Sequence, residues 1–96
     1  MRIALVHDHF DEAHLAEVIE EMKTLGAPTI KAVWMECFNH WAALEGCHRI
    51  RAAAALGLTP EIDEVEYSDA PCDVDGMTVA EVADRSRESE AIEFEE

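Results

Sequence analysis

Apolar positions along the chain change their spacing several times, and each change marks an element. Residues 2–6, Arg-Ile-Ala-Leu-Val, form a short run suited to a buried strand. Asp11 then offers an N-cap, Glu12 sits in a first turn, and Leu15, Val18, Ile19, Met22 and Leu25 recur at three- and four-residue steps until Gly26 and Pro28 interrupt them. That spacing predicts an amphipathic helix. Thr29 to Met35 alternates as a strand, and Trp41-Ala-Ala-Leu44 follows after the connection Glu36 to His40, which together predict a hairpin. Gly46 opens a second helix that crosses the alanines at 52–55 and stops at Gly57, with Pro60 just beyond. Ile62 to Tyr67 is a weaker strand, followed by a loop from Ser68 to Gly76. Thr78 and Glu81 have capping-box spacing ahead of Val79, Val82 and Ala83, so a short third helix is expected. Ala91 to Glu95 reads either as disordered or as an edge strand.

With 96 residues, these elements amount to one small core. We divide it into a domain over 1–70 and an extension over 71–96 that carries the short helix. No run approaches the length of a membrane span, and the apolar stretch before His7 is too short for a secretory signal. A soluble, cytoplasmic α/β domain is expected. The three cysteines, Cys37, Cys47 and Cys72, are an odd number without staple-like spacing and are read as reduced thiols.

Charge changes the picture more than size does. The chain carries 22 acids and 7 Lys or Arg, a formal net charge of −15, and the surplus lies towards the end: residues 1–60 sum to −3 and residues 61–96 to −12. Such a field repels nucleic acid, so direct DNA binding is not expected, whereas a basic protein partner is compatible with it.

Against that background, Gly46-Cys47-His48-Arg49-Ile50-Arg51 stands out. Three potentially cationic side chains, His48, Arg49 and Arg51, open a helix whose N-terminus already bears partial positive charge, an arrangement that an anion would stabilise. Free backbone N–H groups, a permissive Gly46 and guanidinium forks all suit phosphate oxygens. The same surroundings favour a thiolate at Cys47. The competing reading pairs both arginines with carboxylates and packs Cys47 as a small apolar group.

Gly46-Cys47-His48-Arg49, followed by Ala53-Ala54 and Leu56-Gly57, resembles the sulfiredoxin signature and the related phosphate box of ParB N-terminal domains. Residues 11–67 repeat the order of elements of that superfamily: capped helix, Pro28-led strand, hairpin strand, Gly-Cys-His-Arg helix, and a strand after Pro60. The resemblance implies a small mixed sheet with two main helices, here with an acidic C-terminal extension. It also implies a nucleotide, ATP, held at Gly46, Cys47, His48 and Arg49, with Arg51 and His14 added to the same site. Where sulfiredoxins carry a lysine and small hydroxyl residues on the first helix, this chain has His14, Glu17 and Glu21. A carboxylate there suits a general base for phosphoryl transfer or a ligand for Mg²⁺, which makes Glu17 a candidate catalytic residue beside Cys47. Three functions follow as expectations: phosphoryl transfer from ATP, sulfiredoxin-like reduction of a cysteine sulfinic acid through Cys47 on a protein substrate, or a non-catalytic acidic module for a basic partner. No helix-turn-helix or basic reading helix supports ParB-style DNA partitioning.

A rival cluster joins His7, His9 and His14 to Asp8, Asp11 and Glu17. With His7 and His9 on one face of a strand and Cys37 or His40 nearby, a metal site is conceivable, although no zinc spacing is present and no metal is assigned. Trp34 and Trp41 are read as core or cross-strand partners. Tyr67, Ser68 and Asp69 follow the last strand without a spacing that singles them out.

Overall fold

The computed structural model describes residues 1–7, 9–72 and 76–94, apart from the side chain of Cys37. It is a mixed α/β fold with eight main elements: β1 (Arg2–Ala4), α1 (Glu12–Leu25), β2 (Thr29–Met35), β3 (His40–Ala43), α2 (Cys47–Leu56), β4 (Glu61–Glu64), α3 (Val79–Ser86) and β5 (Ala91–Glu93). A single 3-10 turn, Glu36–Phe38, joins β2 to β3 and closes on Asn39 in the left-handed region at φ 54°. Among the described residues no helix is long and apolar enough to cross a membrane.

The strands form one sheet in the order β4-β2-β3-β1-β5. β2 and β3 are the expected hairpin, antiparallel with Val33 opposite Ala42 and Trp34 opposite Trp41. β1 joins β3 in parallel, β4 joins β2 in parallel, and β5 returns antiparallel to β1. Because side chains alternate across a strand, this register sets Ile3, Ile30, Ala32 and Ala43 on one face and Ala4, Val33 and Ala42 on the other. All seven are essentially inaccessible, so the middle of the sheet is covered on both sides. The Trp34 and Trp41 rings meet edge to face at 5.2 Å, a cross-strand pair with Trp34 left 40% exposed.

Local chemistry sets the helix ends. Asp11 caps α1, its carboxylate accepting from the His14 N–H at 3.0 Å, and Gly26 at φ 81° ends it. Thr78 and Glu81 close the capping box on α3 in both directions. α1 packs along α2, and α3 packs against β3, where the buried Ser86 hydroxyl lies 2.7 Å from the Ala43 carbonyl. Of the two readings of Ala91 to Glu95, the strand is the one found, over Ala91–Glu93. Phe94 behind it is buried and bonds Met1 through both backbone groups. The first strand is shorter than the run 2–6 predicts: ladder pairing to β3 ends at Ala4, while Leu5 and Val6 stay buried and lead towards α1. β4 likewise stops at Glu64 instead of Tyr67.

Candidate functional site

β3 ends at Ala43, and three residues later the chain turns into α2. The turn rests on Gly46 at φ 79°, a left-handed conformation that side chains disfavour. Space demands glycine as well: a Cβ there would lie 2.8 Å from Ile30 Cδ1, so Ile30 of β2 fixes how closely the turn approaches the sheet. Unlike α1 and α3, α2 has no side-chain cap. Its first intrahelical bond runs from Ile50 N–H to Gly46, and among the described residues no acceptor meets the N–H groups of Cys47, His48 and Arg49. Three donors at the positive end of a ten-residue helix are therefore left to solvent or ligand.

These donors stand at the edge of a cleft of about 610 Å³ between α1 and the start of α2. Its lining is polar at His7, His14, Gly46, Cys47, His48 and Arg49 and apolar at Val18, Met22, Leu25 and Pro28, among others. Glu21 and Glu45 also border it. The helix face supplying His14, Val18, Glu21, Met22 and Leu25 follows three- and four-residue steps, so one turn-by-turn stripe of α1 forms an entire wall.

The cations at this turn are balanced within the protein. Arg49 donates through Nη2 to Glu45 Oε1 at 2.8 Å and through Nη1 to the Thr29 carbonyl at 3.2 Å, while Glu45 Oε2 accepts from the Lys31 N–H. His48 Nε2 accepts from the Asp11 N–H at 3.0 Å, which requires an unprotonated Nε2 and ties the start of α1 to the start of α2. Burial, foremost, and the neighbouring His14, His7 and Arg51 hold the His48 imidazole below its usual pKa against the opposing pull of Asp11. Asp11 itself is held low, chiefly by the His14 N–H it accepts. His14 meets His48 edge to face at 4.5 Å between ring centres.

Cys47 lines the cleft but is buried, its Sγ 3.8 Å from the His7 carbonyl oxygen. His7 Nδ1 is buried and has no hydrogen-bond partner among the described residues. Cys47, Gly46, His48, Arg49 and His14 are thus brought together. Arg51 is not among the residues lining the cleft: it pairs with Glu90 at 2.9 Å, and its guanidinium lies over the Phe10 ring. Glu17 also stands off the cleft, three-quarters exposed with Oε2 3.9 Å from His14 Nδ1.

The histidine and carboxylate cluster around residue 9 looks different in place. β1 ends at Ala4, so His7 and His9 share a loop and not a strand face, with ring centres 6.3 Å apart. Asp8 lies outside the described residues, as does the Cys37 side chain. His40 sits buried at the start of β3, stacked on Phe38. Among the described residues no three His, Cys, Asp or Glu groups are arranged to hold a metal ion.

Several contributors carry little or no signal in the sequence. Glu45 was legible as an i,i+4 partner of Arg49, a spacing that brings side chains one helical turn apart into contact. Leu25 and Pro28 read only as the end of α1 and its stop. The Asp11 to His48 bond spans 37 positions and has no local signal. Chemically, the arrangement offers backbone N–H donors and imidazoles to an anion, with a thiol and apolar side chains lining the same cleft. Comparison with protein-family models, curated proteins and solved structures finds no match to this chain.

Proposed function

We propose that the cleft binds a nucleotide, ATP, by its phosphates, in the manner of the ParB and sulfiredoxin domains that the Gly46-Cys47-His48-Arg49 turn resembles. The observation that carries this reading is the uncapped start of α2: three N–H groups without acceptors among the described residues open beside His14 and His48. The phosphate oxygens would lie on the N–H groups of Cys47 to Arg49, with His48 and His14 as side-chain donors. Arg49 joins them by exchanging its Glu45 carboxylate for phosphate, both being bidentate acceptors for a guanidinium. Glu21 borders the cleft, so Mg²⁺ would find a carboxylate on α1. ATP supplies a transferable phosphoryl group when bound. Within the chain, Glu21 is the α1 carboxylate on the cleft from which a base could act, Glu17 standing off it, and His7 and His48 line the same cleft.

Cys47 supports a second reading, sulfiredoxin-like reduction of a sulfinic acid, because its sulfur sits at the helix start that would hold the phosphates. Free thiols at Cys47, on the cleft, and at Cys72, elsewhere in the fold, suit a cytoplasmic protein.

Calorimetric titration of ATP, with and without Mg²⁺, tests the reading. ATP is expected to bind the wild type more weakly as salt rises, and His48→Ala to lower affinity about tenfold, the worth of one charge-assisted hydrogen bond. Absence of binding to the wild type rejects it and leaves an acidic module for a basic protein. If ATP binds, turnover that survives Cys47→Ser but not Glu21→Gln favours phosphoryl transfer, and the reverse favours sulfinate reduction.

A further inference from the structure

Glu45 stands one residue before Gly46 and makes two contacts at once. Its Oε1 accepts from Arg49 Nη2 at 2.8 Å, and its Oε2 accepts from the Lys31 N–H of β2 at 3.3 Å. The second bond continues the β2–β3 ladder with a side chain: the last backbone rung runs from the Leu44 N–H to the Lys31 carbonyl, and Glu45 supplies the acceptor that the Lys31 N–H has among the described residues. One carboxylate thus joins the end of the sheet to the start of α2.

The guanidinium that Glu45 holds is folded back on the turn. A Cβ at Gly46 would lie 3.4 Å from Arg49 Nη2 and 3.6 Å from Nε, so glycine is what lets the planar group lie over the turn, and Nη1 donates to the Thr29 carbonyl at 3.2 Å. Both terminal nitrogens therefore hold a protein acceptor, while the backbone N–H groups of Cys47, His48 and Arg49 have none among the described residues. An acid placed just before an uncapped helix start also offsets its partial positive charge. In charge and in its two-oxygen geometry, Glu45 occupies the place of an anion. A phosphate and a carboxylate on one guanidinium face each other as like charges, so the two compete for Arg49.

Resting on the nucleotide reading of this cleft, we infer that Glu45 is an internal competitor that regulates the phosphate site: it holds Arg49 until a phosphate takes the guanidinium, and is then released. The same step removes the acceptor of the Lys31 N–H and opens the last rung between β2 and β3. Occupancy at the start of α2 is thereby registered in the sheet.

The test titrates inorganic tripolyphosphate and ATP by calorimetry, at one salt concentration, into the wild type, Glu45→Gln, Arg49→Ala and the double variant. Glutamine keeps the shape of the side chain and one acceptor oxygen, and with the Glu45 side chain 39% exposed the change should leave the thermal melt in place. Glu45→Gln is expected to bind both ligands about two- to tenfold more tightly than the wild type, the range for removing a half-exposed ion pair that the ligand must displace. In the Arg49→Ala background the same change should alter affinity by less than about twofold, the limit for independent sites; a larger gain there is a general charge effect and overturns the inference. Weaker binding by Glu45→Gln overturns it as well, because Glu45 then positions Arg49 instead of competing for it. Amide exchange supplies the second readout: the Lys31 N–H of the wild type should exchange faster once tripolyphosphate is bound. A Lys31 amide that slows or stays unchanged shows Glu45 still in place and overturns the inference, and this readout decides alone should Arg49→Ala bind too weakly to titrate. If the wild type and Glu45→Gln bind neither ligand, the phosphate reading fails and this inference with it; if they bind equally, the site stands and the inference falls.

Discussion

Gly46 shows how one residue can set both the fold and the site. Adding a methyl group there requires a left-handed side-chain residue and pushes Ile30 Cδ1 from a 2.8 Å approach, so Gly46→Ala should destabilise the protein by about 1–3 kcal/mol. Urea denaturation measures this directly; an unchanged midpoint would mean that the turn adopts some other conformation. Two imidazoles make a second prediction at this scale. His40 is held below its usual value by burial and then by Arg2, and His48 by burial and its cationic neighbours. In both, the fold favours the neutral ring. The unfolded chain therefore takes up protons first as pH falls past the ordinary value of 6.5, and the stability these groups confer, complete above that value, is lost as pH falls towards their lowered folded values. Denaturation at pH 7.5 and 5.5 should find the protein less stable at the lower value, with the difference reduced in His40→Leu. Stability that is flat or rises on acidification would contradict this.

At the scale of elements, local signals were legible and distant pairings were not. Asp11, Gly26, Thr78 and Glu81 announced the ends of α1 and α3 because caps act within a turn of the residues they satisfy. Alternation announced the β2–β3 hairpin for the same reason. Gly46 announced the turn into α2, since a glycine just before a helical run is a local signal for a left-handed turn. The partners of Arg51 and His48, by contrast, lie 39 and 37 positions away. Only the assembled sheet brings Glu90 to Arg51 and so turns that arginine away from the cleft its spacing had suggested. The same holds for α3, which buries Val79, Val82 and Ala83 and which Ser86 ties to β3 across 43 positions. Its hydroxyl is buried between the Ala43 and Val82 carbonyls at 2.7 and 2.9 Å, so Ser86→Ala should cost about 1–2 kcal/mol, whereas the exposed cap change Thr78→Ala should cost about 1 kcal/mol. Amide exchange would place the loss from Ser86→Ala in both α3 and β3. Faster exchange confined to α3 would show that the Ala43 contact contributes nothing.

For the whole molecule the dominant quantity is charge. A surplus of 15 negative charges on a body with a Cα radius of gyration of 12.8 Å repels itself, and ion pairs such as Arg2 with Glu93 and Lys23 with Glu20 are exposed and contribute little. Added salt should therefore relieve more repulsion than it removes attraction. The thermal midpoint is expected to rise by about 5 °C between 20 mM and 500 mM NaCl, equivalent to about 1 kcal/mol for a chain of this size. A midpoint that falls with salt would mean that the ion pairs outweigh the repulsion. The same sheet carries a consequence for how the molecule is made. Met1 exchanges backbone hydrogen bonds with Phe94, and β1 lies between β3 and β5. During synthesis the earliest strand thus waits for the latest: β1 can dock on β3 once residue 43 has left the ribosome, but its outer edge stays open until residue 94 follows. Until then an unpaired strand is displayed on every nascent copy, and its brevity, three residues ending in a buried alanine, limits what can add to it.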